Sequence, residues 1–255
     1  MRQAVRAEWL KAWSDPGTAW VLGALVTLSV AVSAVAVSAA RCPAMGCGQD
    51  PARLSFAGVY LGQAVAALAG VLAIGGEYGT GMIRVTLTAM PRRITVLAAK
   101  ALVLAGLVLT ASALAVSASI LTGWLILPGH GFTAARGFDL VGAGAWQASF
   151  RTTLYLTLVA AISLGVTAAV REVAAAIGTA LGLLYLFPIA ASLAANPAIQ
   201  RRLSQIGPMP AGLDAQVSTG VSGLPLTPWQ GLGVVALWAA GALVLGGLVL
   251  RRRDA

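Results

Sequence analysis

Six runs of apolar residues, each near or above the ~20 needed to cross a hydrocarbon core, are separated by polar or Pro- and Gly-rich segments. They lie at Thr18 to Ala40, Leu54 to Gly76, Val96 to Leu127, Thr152 to Val170, Val173 to Ala194 and Gly231 to Leu250. Within each run the apolar residues are gathered together rather than spread periodically, as expected of segments whose solvent is lipid. The pattern predicts an all-α integral membrane protein, a single transmembrane domain over residues 1–255 with six transmembrane helices. The third run exceeds what a bilayer requires, so its helix should tilt or project. Pro188 in the fifth removes a backbone N–H and predicts a kink.

Ahead of the first run, Val5, Trp9 and Trp13 recur at helical spacing while Arg2, Arg6 and Lys11 fall elsewhere on the wheel. This predicts an interfacial helix over residues 1–15 lying in the headgroup plane, where the tryptophan ring is apolar and its N–H finds a polar partner. A plain positively charged flank is the other reading. Asp15, Pro16 and Gly17 then break the helix. The first run is too long for the 7–15-residue apolar core of a signal peptide, so it is expected to stay uncleaved.

Composition agrees with the pattern, since 58% of residues are hydrophobic and 10% charged, against about 25% charged in a soluble domain. A net charge of +9 raises nucleic acid as a partner. However, no basic cluster is interleaved with aromatics, and the longest basic run is Arg251 to Arg253, so none is expected. The charge reads as topology instead. With the N-terminus inside, the inner segments hold Arg2, Arg6, Lys11, Arg84, Arg92, Arg93, Lys100, Arg171 and Arg251 to Arg253, leaving Arg41, Arg53, Arg136, Arg151, Arg201 and Arg202 outside. That excess favours an N-in/C-in arrangement. Of the 17 basic residues only Lys11 and Lys100 are lysine, and with abundant Ala, Gly and Val this points to a GC-rich, actinobacterial-looking genome and a bacterial cytoplasmic membrane.

The most informative stretch begins at Glu77 and runs through Pro91, Arg92 and Arg93 to Lys100. It has a carboxylate at the inner end of a span, a Gly-rich break with Gly79 and Gly81, an amphipathic turn, then Pro-Arg-Arg and a new span. This describes a helix along the cytoplasmic face, with a solvated basic loop as the alternative. The segment resembles the permeases of type-2 ABC exporters, in which Glu-x-x-x-Gly-Thr, an Arg, then Pro-x-Arg and Lys lie between the second and third spans. The pattern falls on Glu77, Gly79, Thr80, Arg84, Pro91, Arg93 and Lys100. The whole chain is similar as well, with its N-terminal interfacial helix, six spans and enlarged external loop at 195–230.

The resemblance implies a dimer, of identical copies or close paralogues, each copy docking a cytoplasmic coupling helix within segment 77–93 into one of two ABC ATPase subunits. Arg84 and Leu87 would sit on that helix. The chain lacks the large external domain of macrolide-type or adhesion-release relatives, which implies a small antibiotic, peptide or lipid-like cargo moved outward. No cofactor is expected on this chain, because a P-loop needs Lys followed by Ser or Thr and both lysines precede alanine. ATP and Mg would belong to the partner.

Other candidate residues leave alternatives open. Glu77 is either hydrated or paired with Arg84 or Lys100. Gln63, one turn from Tyr60, either faces a cargo path or bridges helices by hydrogen bonding. Tyr155, Tyr185 and Phe187 either line an amphipathic path or serve packing and lipid contact. Cys42 and Cys47 share an external loop where an oxidising exterior permits a disulfide. No metal site is expected, since two Cys and the lone His130 fall short of four ligands. An intramembrane hydrolase would need a base beside a nucleophile or an H-E-x-x-H motif, and neither is present, so the chain is not expected to be an enzyme. The rival reading is an ATP-independent carrier or accessory membrane protein.

Overall fold

The computed structural model describes residues 1–42, 50–79, 82, 93–132, 142–218 and 225–252. The described residues hold helices and turns and no strand. In chain order the helices are α1 (Arg2–Ser14), α2 (Pro16–Ala39), α3 (Pro51–Ser55), α4 (Val59–Gly79), α5 (Arg93–Ile126), α6 (Ala143–Val170), α7 (Val173–Leu193), α8 (Pro197–Ile206), α9 (Pro208–Leu213) and α10 (Pro228–Arg252). Short 3-10 turns follow α5 at Leu127–His130 and α9 at Asp214–Gln216. Six of these helices, α2, α4, α5, α6, α7 and α10, are long and apolar enough to cross a membrane.

Local chemistry sets the boundaries. Asp15, held extended before Pro16, ends α1 and caps α2 by accepting from Gly17 N at 3.0 Å and Thr18 Oγ1 at 3.1 Å. Arg171 takes a left-handed φ of 65°, which turns the chain between α6 and α7, and Glu172 then caps α7 through Ala174 N. The second expected span is split. Phe56 to Gly58 form a turn between α3 and α4, where the Gly58 N–H donates to Ser33 Oγ at 3.0 Å. Pro188 lies inside α7, which continues through it to Leu193. The fourth expected span starts nine residues early, at Ala143 rather than Thr152.

α4 and α6 form the centre, with 56% of their apolar windows buried, against 22% for α2 and 17% for α7. Small residues allow this closeness. A Cβ on Gly70 of α4 would stand 2.1 Å from the Ala160 carbonyl oxygen of α6, and one on Gly165 of α6 would meet the Ala242 backbone of α10 at 2.4 Å. Such contact is how helices pack where lipid removes the hydrophobic drive between them. Large apolar side chains cover the outside, among them Trp20, Leu193 and Leu237.

Candidate functional site

Charge is scarce in this chain, yet four charged side chains converge at the end of the bundle that carries both termini. Glu8 and Lys11 stand three residues apart on α1, a spacing that places both on one helical side. Glu77 lies in the last turn of α4 and Lys100 in the second turn of α5. Lys100 Nζ donates to Glu8 Oε2 and to Glu77 Oε1, each at 2.7 Å, and to the Ala73 carbonyl at 3.4 Å. Lys11 donates to the same Glu77 oxygen.

Burial makes this junction consequential. The Lys100 side chain is 1% exposed and that of Glu77 4%, whereas Lys11 is 39% exposed. Ions taken out of water carry a desolvation penalty that only close, well-made pairing offsets. Glu77 also sits at a helix C-terminus, where the helix dipole disfavours an anion, and two ammonium groups counter that field. One atom is left over, since Glu77 Oε2 is buried and has no hydrogen-bond partner. Beside the cluster is a cavity of about 380 Å³, lined by all four charged residues and by the apolar walls of α2, α4 and α5.

The sequence pattern placed Glu77 and Lys100 in one motif, and the fold brings them together. Gly79 ends α4, and Arg93 opens α5 with its Nη1 donating to the Leu250 carbonyl at 2.9 Å. Thr80, Arg84, Leu87 and Pro91 lie outside the described residues. Glu8 and Lys11 were not singled out as partners. The available signal was that Glu8 is the only carboxylate before Asp15. On α1 the buried positions are Ala4 and Glu8, while Trp9 and Trp13 stack at 6.4 Å and stay exposed.

The aromatic and amide candidates form a second group, deeper in the bundle. Tyr155 and Gln63 are fully buried, and the Tyr155 hydroxyl donates to Gln63 Oε1, which bridges α6 to α4. Tyr185 donates to the Tyr60 carbonyl at 2.8 Å, and Phe187 meets Trp238 edge-on at 6.0 Å. None of the five lines the cavity beside Glu77 or the apolar groove of about 600 Å³ between α6, α7 and α10.

The opposite end is built differently. Segment 207–217 folds into the bundle, where Gly212 packs so closely on Tyr155 that a Cβ would stand 2.0 Å from its ring. Arg151, read from sequence as an external flank, is buried in α6. It donates from Nη2 to the Val217 carbonyl at 3.1 Å, and its guanidinium lies 5.9 Å from the centre of the Trp229 ring. Asp50 accepts from Ser218 N at 2.7 Å and Ser218 Oγ at 2.8 Å. Burial pushes the Asp214 carboxyl up to about 6, with Arg53 opposing the shift. Cys42 is disulfide-bonded, and the chain's other cysteine, Cys47, lies outside the described residues.

Six apolar helices with a lipid-compatible exterior make this a multi-pass membrane protein. No family model matches the chain, and no curated protein matches it.

Proposed function

We propose that the chain is the membrane-spanning permease subunit of an ATP-binding cassette exporter, set N-in/C-in in a bacterial cytoplasmic membrane. It works as a dimer, with ATP hydrolysed on separate subunits docked at segment 77–93, and moves a small hydrophobic or amphipathic cargo outward. The observation that best supports this is the junction of Glu8, Glu77 and Lys100. Glu77 and Lys100 stand at the two sides of the proposed docking segment, and Lys100 also holds α1. A push on that segment therefore reaches α1, α4 and α5 at once, as rigid-element coupling requires.

The test is co-purification with an ABC ATPase encoded beside this chain, followed by transport in reconstituted vesicles. Arg84→Glu or Leu87→Glu is expected to leave ATP hydrolysis running while transport falls. Unchanged transport, or no bound ATPase, would remove the reading. An ATP-independent carrier draws support from the same buried carboxylate, since intramembrane ionisable groups often mark proton-coupled paths. Uptake or efflux driven by a proton gradient in vesicles holding this chain alone would select it.

A further inference from the structure

We propose that the apolar groove between α6, α7 and α10 seats one anionic glycerophospholipid, with an acyl chain in the groove and its phosphate at Arg171 and Arg252. The site stands apart from the transport reading, because it is complete within one copy and needs no ATPase.

The groove holds about 600 Å³, with Ala169, Leu183, Leu237, Gly241 and Leu245 along its walls. It is open on the lipid side, where Leu237 is 75% and Leu245 61% exposed. Three polar side chains also line it, and each is turned to the protein itself. Thr179 Oγ1 donates to the Ala175 carbonyl at 2.7 Å, Gln205 Nε2 to the Pro225 carbonyl at 3.1 Å and Trp238 Nε1 to the Ile206 carbonyl at 2.9 Å. The walls therefore offer an occupant dispersion contact and little else, which suits a hydrocarbon chain. From Val234 to Leu245 on α10 the groove runs about 16 Å at the helical rise. One leaflet of the hydrocarbon core is about 15 Å deep.

Charge at one mouth decides the headgroup. Toward the end with the termini the groove finishes at Val170 and Leu245. Arg171 follows Val170 directly, and its Nη2 donates to the Val249 carbonyl at 3.3 Å, which ties α6 to α10 below the groove. Arg252 stands seven residues beyond Leu245, as Leu245 does beyond Trp238, so it continues the groove-facing stripe of α10. Arg252 is exposed, as is Arg251 beside it. The acid at this mouth is Glu172, whose carboxylate is spent on capping α7 through Ala174 N and Ala175 N. Among the described residues three guanidinium groups thus stand against one carboxylate. Arg253 and Asp254, outside the described residues, cancel in charge. Guanidinium binds phosphate through paired N–H groups, and basic pockets between spanning helices hold anionic headgroups. A lipid with net negative charge gains more there than a zwitterionic one.

A second copy fits the groove less well. A two-fold interface sets the same patch against itself, so the arginines of one mouth would meet those of the other and repel.

The full chain is reconstituted in bilayers of equal phosphatidylglycerol, phosphatidylethanolamine and phosphatidylcholine, extracted in an uncharged maltoside detergent, and its retained lipid counted by native mass spectrometry. One phosphatidylglycerol per chain is expected, enriched at least about fivefold over each of the others, the worth of one arginine near an anionic headgroup. Equal retention of the three lipids, or preference for the ethanolamine lipid, overturns the proposal. Gly241→Leu alters no charge, and a Cβ at Gly241 meets nothing within 4 Å, so the chain is expected to fold with its groove filled and to lose the retained lipid. Unchanged phosphatidylglycerol in this variant means attraction to the positive end of the bundle at large, and overturns the site. Arg252→Gln, at an exposed position, is expected to cut the preference about fivefold, and Arg251→Gln, on another side of α10, to cut it less. An equal loss from both, or none from either, overturns the headgroup assignment. A dimer that carries no lipid and that Gly241→Leu dissociates overturns the proposal in favour of a second copy in the groove.

Discussion

The two ends of the helix bundle are held by different chemistry. At the end with the termini, three separate elements meet at a cluster of charged side chains, with Lys100 as the cation shared by Glu8 and Glu77 and also bonded to the Ala73 carbonyl. At the opposite end the contacts run mainly to backbone, as Arg151 reaches the Val217 carbonyl and Asp50 the Ser218 N–H. Glycine also brings segment 207–217 against the Tyr155 ring. Backbone and close packing fix one geometry, because interiors are nearly incompressible. An ion-pair hub with an exposed member and an unpartnered oxygen can exchange partners. The first end is thus suited to transmit a change and the second to resist one.

The largest effect is expected where that hub is cut at its centre. Lys100→Met keeps much of the side-chain volume but strands Glu8 and leaves Glu77 with the part-exposed Lys11, and removing one partner of a buried pair costs about 3–5 kcal/mol. Detergent-solubilised protein should lose that much stability in denaturant titration. Restoration by a concurrent Glu77→Gln and Glu8→Gln would show that stranded charge, not lost packing, is responsible. A loss under about 1 kcal/mol would mean the cluster is hydrated and would dissolve the contrast between the two ends.

At the other end, Asp214 gives a pH dependence of definite sign. Its folded value of about 6 lies above the ordinary 3.8, so the native state holds the proton more tightly than the unfolded chain. The stabilisation from that proton is present in full below pH 3.8 and is lost as pH rises through about 6. The loss is at most about 3 kcal/mol, from a shift of roughly two units. Asp214→Asn stays neutral throughout. The variant and the native chain should have matching Tm near pH 4, with the variant more stable above pH 7, and parallel curves across that range would refute the shift.

The close approach at Gly212 should have a smaller cost. Gly212→Val places carbon inside the Tyr155 ring contact, and overpacking of this kind costs about 1–3 kcal/mol. The Tyr155 to Gln63 bond is the first structure displaced. Full stability in the variant would mean that segment 207–217 is not wedged against α6.

What the sequence disclosed and what it hid follow the same division. Long apolar runs announce themselves, and the Pro197–Ile206 helix is bounded by local signals, Asn196 capping its start and Gly207 following its end. Glu77 and Lys100 were readable because a short connection forces the ends of consecutive spans together. Glu8 was not, since its partner is 92 residues away, and the stronger Val5, Trp9, Trp13 periodicity marks a different side of α1. The burial of Arg151 was hidden for a related reason. An arginine at the edge of an apolar run looks like a solvated flank, and only the return of segment 207–217 over it makes it buried. Contacts between distant segments leave no local periodicity.

The finest discrimination comes from two lysines that share one carboxylate oxygen. Lys11 and Lys100 both donate to Glu77 Oε1, but Lys11 is 39% exposed and Lys100 only 1%. Water can replace the Lys11 ammonium and already screens its pairing, so Lys11→Met should cost no more than about 1 kcal/mol, the range of exposed ion pairs. Raised salt should erase even that difference, because screening acts on exposed charge and spares buried charge. If exposure is what separates the two lysines, Lys100→Met keeps its penalty in 1 M salt, where the Debye length is about 3 Å, while Lys11→Met becomes indistinguishable from the native chain. Equal penalties for the two substitutions at high salt would mean that Glu77 is buried from both sides, and that the open, exchangeable face assigned to the hub does not exist.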